Sequence, residues 1–243
     1  MMDYEECLCK NGYAFIPGTW YEKIHMQNSS TNENSEDGIK HILHQYGELT
    51  PDPYSPGSRL RAYAQCRING SGDLFFGHFE PYLQTKAYNP DTGGIIRSYP
   101  LISNEVLENE LFQLLVTDDI RFVRKYSEIG DPVEAIIGIH LFRYFATSSA
   151  PAFSSPVWLH KDDEDVVFIH LLSLSDNAMG GDNIIATDGR HIERVMRLEE
   201  PLDTFVVNHA KLHAVTPIWC KEINGQESHC TRDIILVTFQ KRK

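Results

Sequence analysis

One residue, Lys161, separates an imidazole from a carboxylate in the segment Trp158-Leu-His160-Lys-Asp162. On an extended chain, residues i and i+2 project to the same side, so His160 and Asp162 can hold one metal ion together. A third ligand must come from elsewhere, and His213, in Lys211-Leu-His213-Ala-Val-Thr-Pro217, is the best candidate. Two imidazoles and a carboxylate on one face of a metal leave three positions open, the arrangement of non-haem Fe(II) oxygenases. A structural zinc site would fill four positions and usually recruits thiolates, which are absent around these residues.

A fourth element is Arg232, which opens Arg232-Asp-Ile-Ile-Leu-Val-Thr-Phe239. A guanidinium buried at the head of a strand needs an anion, and a carboxylate supplies charge-assisted hydrogen bonds of about 1.5–3 kcal/mol each. Beside such a metal, the fitting anion is the far carboxylate of 2-oxoglutarate, whose other end chelates the ion. Asn183 and Thr238 are further candidates for contacts with this co-substrate.

The elements that must position these groups fall into three zones. Residues 1–58 hold one short strand, Tyr13–Ile16, ended by Pro17-Gly18. The polar run 27–38 and Pro51, Pro53 and Pro56 then read as mobile loops. Residues 59–132 are mixed: Leu107, Leu111, Leu114 and Leu115 recur at helical spacing after Asn104 as N-cap, and the helical pattern extends through Ile120, Val123 and Tyr126. Tyr88 to Gly94 is turn chemistry, with a strand from Ile95 to Tyr99 leaving it. From 133 onward short β segments dominate, near 134–145, 157–161, 165–173, 182–187, 203–208, 212–217 and 232–240. Strands at this spacing predict a mainly β fold with flanking helices, a sandwich or barrel core within one domain spanning 1–243. Gly180-Gly181-Asp182-Asn183 lacks the phosphate-loop pattern and reads as a tight turn. His170, inside an apolar run, reads as a satisfied core histidine, and the acidic residues after Asp162 as a solvated rim.

Composition narrows the function. The 243 residues carry a net charge of −12, a poor match for a phosphate backbone, so nucleic-acid partners are excluded. No apolar stretch is long enough to span a bilayer, and the N-terminus MMDYEECLCKNG lacks a signal-peptide pattern. The five cysteines (Cys7, Cys9, Cys66, Cys220 and Cys230) form an odd set without a CxxC pair and read as free thiols in a reducing, cytoplasmic setting.

The sequence resembles the bacterial L-isoleucine dioxygenase group of free amino-acid hydroxylases. The resemblance lies in Ile137-Gly-Ile-His-Leu-Phe-Arg-Tyr144, Phe153-Ser-Ser-Pro-Val-Trp-Leu-His-Lys-Asp-Asp-Glu164, Gly180-Gly-Asp-Asn183, Glu200-Pro-Leu-Asp-Thr204, His213-Ala-Val-Thr-Pro217 and Arg232 to Phe239. It spans roughly 59–239 and leaves residues 1–58 as a variable segment. It implies a double-stranded β-helix (jelly-roll, cupin-like) core over 133–243, with His160, Asp162 and His213 as ligands to Fe(II) and Arg232 as the 2-oxoglutarate anchor. It also implies consumption of O2, release of succinate and CO2, and hydroxylation of an aliphatic side chain such as that of isoleucine or leucine; a thioether in the same place would become a sulfoxide.

A free amino acid needs a carboxylate clamp, an ammonium partner and an apolar slot. Arg59, Arg61 and Arg143 are candidates for the clamp, with Tyr144 beside the last. His140 and Arg143 are three apart, so on a regular strand only one faces the barrel interior. Asp163 is the candidate ammonium partner, and Trp158 shares a strand face with His160 as a lining residue. A homodimer is the assembly considered. Two other readings stand beside this one: a hydroxylase of a protein- or carrier-bound amino acid, and a cupin-like metal-binding module without catalysis, which has no use for Arg232.

Overall fold

The computed structural model describes residues 3–29, 34–55, 58–86, 93–126, 131–154, 156 and 158–242. In chain order it forms α1 (Tyr4–Asn11), β1 (Tyr13–Ile16), α2 (Gly18–Asn28), α3 (Ser35–Gln45), β2 (Thr50–Pro51), β3 (Arg59–Ile68) and β4 (Leu74–Gly77). There follow α4 (Asn104–Leu107), α5 (Glu110–Lys125), β5 (Ala135–Thr147), β6 (Val166–Leu174), β7 (Ala178–Gly180), β8 (Asn183–Asp188) and β9 (His191–Met196). The last strands are β10 (Thr204–Asn208), β11 (Leu212–Val215), β12 (Ile218–Cys220) and β13 (His229–Lys241).

Period-two alternation decides the main sheet, whose order is β1-β10-β6-β13-β5-β3-β2, with β4 also paired to β3. Along β5, Ile137, Ile139 and Leu141 point to one face, where they join Phe168, Val237 and Phe239 in a buried cluster. Helix α5 completes that cluster with Leu111, Phe112, Leu115, Val116, Ile120 and Val123, the apolar stripe of a 3.6-residue period. The opposite face carries Phe142, Tyr144, Val167, Ile169, Phe205 and Ile234, which pack in a second cluster with Ile185 and Ile218 from the small sheets β11-β8-β9 and β12-β7. Two antiparallel layers thus enclose an interior, the sandwich the strand spacing predicts in the jelly-roll form the resemblance implies, while the helices cover the outer face.

Residues 35–45 are helix α3 rather than loop, because Asn34 accepts from Asp37 N as an N-cap and Ile39 and Ile42 bury on one side; residues 30–33 of the polar run lie outside the described residues. Helix α4 starts at Asn104 without a side-chain cap, and Asn109, accepting from Phe112 N, caps the long α5 instead. The strand expected near 157–161 shrinks to one bridge at His160, and that expected over Ile95–Tyr99 to one bridge between Arg97 and Tyr82. Most of the turn expected over Tyr88–Gly94 lies outside the described residues, as do Pro56 and Gly57. Cys220 and Cys230 are joined in a disulfide across adjoining strand ends, so the expectation of five free thiols fails for these two. Among the described residues no helix is long and apolar enough to cross a membrane.

Candidate active site

One backbone contact creates the centre of the site. His160 N donates to His213 O at 3.0 Å and His213 N to His160 O at 2.9 Å. An antiparallel pair that exchanges both bonds projects its two side chains to one side, and the imidazole centroids stand 4.6 Å apart. Asp162 reaches both rings, with Oδ2 3.1 Å from His213 Nε2 and Oδ1 3.4 Å from His160 Nε2. The candidate ligand atoms of His160, Asp162 and His213 all lie within 4.8 Å of one another. His160 Nδ1 donates to the Trp158 carbonyl at 2.8 Å, which leaves Nε2 as the lone-pair nitrogen, the orientation a metal ligand needs. Burial alone would raise the Asp162 carboxyl, but His213 and then His160 hold it far below the usual carboxylate range. The donor set fits a divalent ion with three positions left open.

Arg232 lies on the interior face of β13, 2% exposed, and its Nη2 has no hydrogen-bond partner among the described residues. Gly181 makes room for it: at φ +73° a Cβ there would be strained and would stand 3.4 Å from Arg232 Cδ. Next to Gly181, Gly180 turns at φ +74° with no space for a side chain beneath Pro217 O, so Gly180-Gly181 is the tight turn its sequence suggests. The register places Arg232 opposite Tyr144, and its guanidinium carbon lies 5.9 Å from the Tyr144 ring centre. An orphaned, buried guanidinium donor fits a carboxylate.

A cleft opens onto the three ligands. Its apolar wall is Phe142, Val167, Ile169, Val215 and Leu236, and its polar wall includes Arg59, Arg61, Arg97, His140, Tyr82 and Glu164. Buried Asp52 organises two of the arginines: its Oδ2 accepts from Arg59 Nη2 at 2.6 Å, Arg59 Nε at 3.1 Å and Arg61 Nη1 at 3.4 Å. Arg61 also donates to the Tyr99 hydroxyl at 2.8 Å and to His140 Nδ1 at 2.7 Å. Burial, reinforced by Arg61, Arg59 and Arg97, holds His140 well below the usual imidazole range, so it is neutral. Burial and the Asp162 charge push the Glu164 carboxyl up to about 7.

The 2OG-Fe dioxygenase family model matches residues 44–238, which include every residue of this constellation. This chain is a 2OG-Fe dioxygenase. The family uses Fe(II), 2-oxoglutarate and O2. The chain is 53% identical, over 100% of its length and 97% of the relative's, to a 3(1)-hydroxy-L-isoleucine 4-dioxygenase of Pantoea ananatis. It is 42% identical to an L-isoleucine-4-hydroxylase of Bacillus thuringiensis, over 82% of this chain and 81% of that one. Its fold superposes on the crystal structure of IDO from Bacillus thuringiensis with a TM-score of 0.82 at 33% identity, covering 99% and 98% of the two chains.

Within this dioxygenase the structure brings Arg59, Arg61, Tyr144 and Thr238 to the cleft alongside the three ligands. Thr238 Oγ1 occupies space that a Cβ on Gly138 would enter at 2.6 Å, so glycine is required opposite it. Five expected residues do not line it: Arg232, which is buried on β13 beside Gly181, and the four that follow. Arg143 turns to the helix side of the sheet and forms a two-pronged pair with Asp233, at 2.8 and 2.7 Å, because odd positions of β5 face outward while His140 faces in. Asp163 accepts from Thr85 N at 3.2 Å, away from the cleft wall. Trp158 is 45% exposed and contributes its carbonyl, not its ring. Asn183 is buried between β11 and β9 with Nδ2 on Met196 O, and its Oδ1 has no partner among the described residues. Sequence reasoning missed Tyr82, Arg97 and Glu164 as cleft groups, and Asp52 behind the arginines; only Glu164, two residues past Asp162, repeats a spacing that could have revealed it. His170 is the satisfied core histidine expected, bonded to Thr204 and Asp119.

Proposed function

We propose that this dioxygenase hydroxylates the aliphatic side chain of a free L-amino acid of the isoleucine type, with His160, Asp162 and His213 holding Fe(II) and Arg232 anchoring the far carboxylate of 2-oxoglutarate. When bound, the iron and co-substrate supply the oxidising power for an unactivated C–H bond, with succinate and CO2 released. The protein's part is to orient one C–H bond toward the open metal face and to exclude water.

The observation that carries this reading is the division of the cleft into an arginine wall and an aliphatic wall. Arg59, whose bonds to Asp52 run through Nε and Nη2, lines the cleft as a cation suited to an α-carboxylate, and His140 adds a neutral N–H beside it. Val167, Ile169, Leu236 and Phe142 receive a branched hydrocarbon. A carrier-bound amino acid has its carboxyl tied up in an amide or thioester and brings no carboxylate to the arginine wall. The curated relatives act on L-isoleucine and on its 3(1)-hydroxy derivative, which supports the same substrate class here.

The test is succinate formation by Fe(II)-loaded protein with 2-oxoglutarate and air. Each common L-amino acid and 3(1)-hydroxy-L-isoleucine is supplied singly, and products are identified by mass. A gain of 16 Da on an isoleucine-type substrate is expected. Turnover that no free amino acid stimulates rejects the reading.

A further inference from the structure

Two carboxylates line the cleft among the described residues, Asp162 and Glu164. Asp162 faces two imidazoles and belongs to the metal set. Asp52 lies behind the arginines and is spent on them. Asp163 points to the Thr85 amide. Glu164 is left in a different state: it is 7% exposed, and among the described residues its one side-chain hydrogen bond is to Gln84 Nε2 at a long 3.4 Å. No lysine or arginine comes within ion-pair distance of it among the described residues, although three arginines share its cleft.

A carboxylate buried without a cation carries an uncompensated desolvation cost, which a bound cationic group would offset. A zwitterionic amino acid needs an anion for its ammonium as well as a cation for its carboxylate. The arginine wall supplies the second and, of the lining groups, Glu164 alone supplies the first. Tyr82 joins the two, lying within electrostatic reach of Glu164 on one hand and of Arg61 and Arg97 on the other, with its ring 5.2 Å from the Arg61 guanidinium carbon. We infer that Glu164 receives the α-ammonium group of the amino-acid substrate, so that Glu164 and the arginines grip the two charged ends of one zwitterion. This rests on the reading of the cleft as a free amino-acid site. It gives the enzyme a reason to reject substrates in which the amine is acylated or replaced by hydroxyl, because either change leaves Glu164 buried and unpaired.

The experiment is an anaerobic calorimetric titration of Fe(II)- and 2-oxoglutarate-loaded enzyme with L-isoleucine, 3(1)-hydroxy-L-isoleucine and 2-hydroxy-3-methylpentanoate, the last carrying hydroxyl in place of the amine. Wild type should bind an amino acid and discriminate strongly against the hydroxy acid. Glu164→Gln keeps the shape and removes the charge. It should weaken amino-acid binding on the order of 10–100-fold, a loss of one charge-assisted contact. It should also erase most of the preference over the hydroxy acid while leaving 2-oxoglutarate affinity unchanged. Glu164→Asp should retain the preference, and it carries the test should Glu164→Gln lose 2-oxoglutarate affinity as well. Amino-acid affinity in Glu164→Gln within twofold of wild type, or a preference lost in Glu164→Asp, overturns the assignment of Glu164 alone. A wild-type enzyme that binds no free amino acid overturns the cleft reading together with it.

Discussion

Arg61 Nη2 lies 2.7 Å from His140 Nδ1, and the contact fixes the imidazole tautomer. A guanidinium only donates, so Nδ1 accepts and the ring proton sits on Nε2. The ring is stacked between Tyr63 at 4.6 Å and Phe142 at 5.7 Å, which locks its plane and presents the Nε2 proton to the cleft. A neutral donor held this way strengthens hydrogen bonding to a substrate without adding a fourth positive charge beside Arg59, Arg61 and Arg97.

That relationship predicts a spectroscopic result. Nitrogen-15 histidine spectra should show one imidazole, assigned by Arg61→Lys and His140→Gln, in the Nε2–H form and without protonation down to pH 5. The sign follows from burial and the arginines, which both disfavour the imidazolium. Arg61→Lys cannot span Asp52, Tyr99 and His140 at once and should cost about 2–4 kcal/mol in urea unfolding, since it leaves buried partners unsatisfied. A His140 that titrates near its ordinary pKa refutes the tautomer assignment.

The co-substrate end of the site makes a second prediction. Arg232→Lys replaces a planar fork by a point charge and should raise the KM for 2-oxoglutarate by roughly 30–100-fold, the loss of one bidentate contact. Gly181→Ala should act in the same direction without touching the charge, since a Cβ at φ +73° strains the backbone that lies against the Arg232 side chain. Substrate KM should change less than 2-oxoglutarate KM in both variants. Equal changes would detach Arg232 from the co-substrate.

Metal linkage is the third. A ligand that binds the native state alone stabilises by RT ln(1 + [L]/Kd), about 2.7 kcal/mol at a hundredfold excess over Kd, or roughly 5–10 °C in a chain of this size. Anaerobic Fe(II), or Co(II) as a redox-stable stand-in, should raise Tm by that amount, and a chelator should reverse it. Asp162→Asn should abolish the shift. Persistence of the shift in that variant would place the ion elsewhere.

What the sequence made legible follows from the range of the physics involved. Alternation along β5, β6 and β13 is local, so the sheet faces, and the rule that His140 and Arg143 must oppose each other, could be read directly; which of the two faces inward could not. The bridge between His160 and His213 is a contact across the fold, so the strand read near 157–161 could not name its partner; only the shared ligand chemistry pointed from one histidine to the other. Helix α3 hides in a polar run because its buried stripe is short, Gly38, Ile39 and Ile42. Glu164 hides among Lys161, Asp163 and Asp165, since a charged run looks like a solvated rim until the chain around it is placed. Asp52 sits between prolines that signal loop, and its partners Arg59 and Arg61 come to it by the pairing of β2 with β3.

On the far side of the sheet from the cleft, a buried polar cluster makes the fourth prediction. Thr204 Oγ1 donates to Leu202 O at 2.8 Å, so it accepts from His170 Nδ1, also at 2.8 Å. His170 Nε2 then meets Asp119 Oδ2 at 2.8 Å, with the Tyr21 hydroxyl 3.5 Å from the other carboxylate oxygen and Asp118 turned to the Trp20 indole. Burial pushes the Asp119 carboxyl up to about 6 from an ordinary 3.8, against the pull of His170. Between those values the native state binds more protons than the unfolded chain, so this group's contribution to stability is full below about pH 4 and falls as pH rises through 6. The loss across that window is at most about 3 kcal/mol, two pK units converted to free energy. Asp119→Asn can still donate to a neutral His170 Nε2 and does not titrate. The stability of wild type relative to Asp119→Asn, from urea unfolding at pH 4.5 and 7, should therefore decline toward higher pH. A constant difference would mean that Asp119 stays ionised against an imidazolium throughout, and that the cluster is a buried ion pair rather than a shared proton.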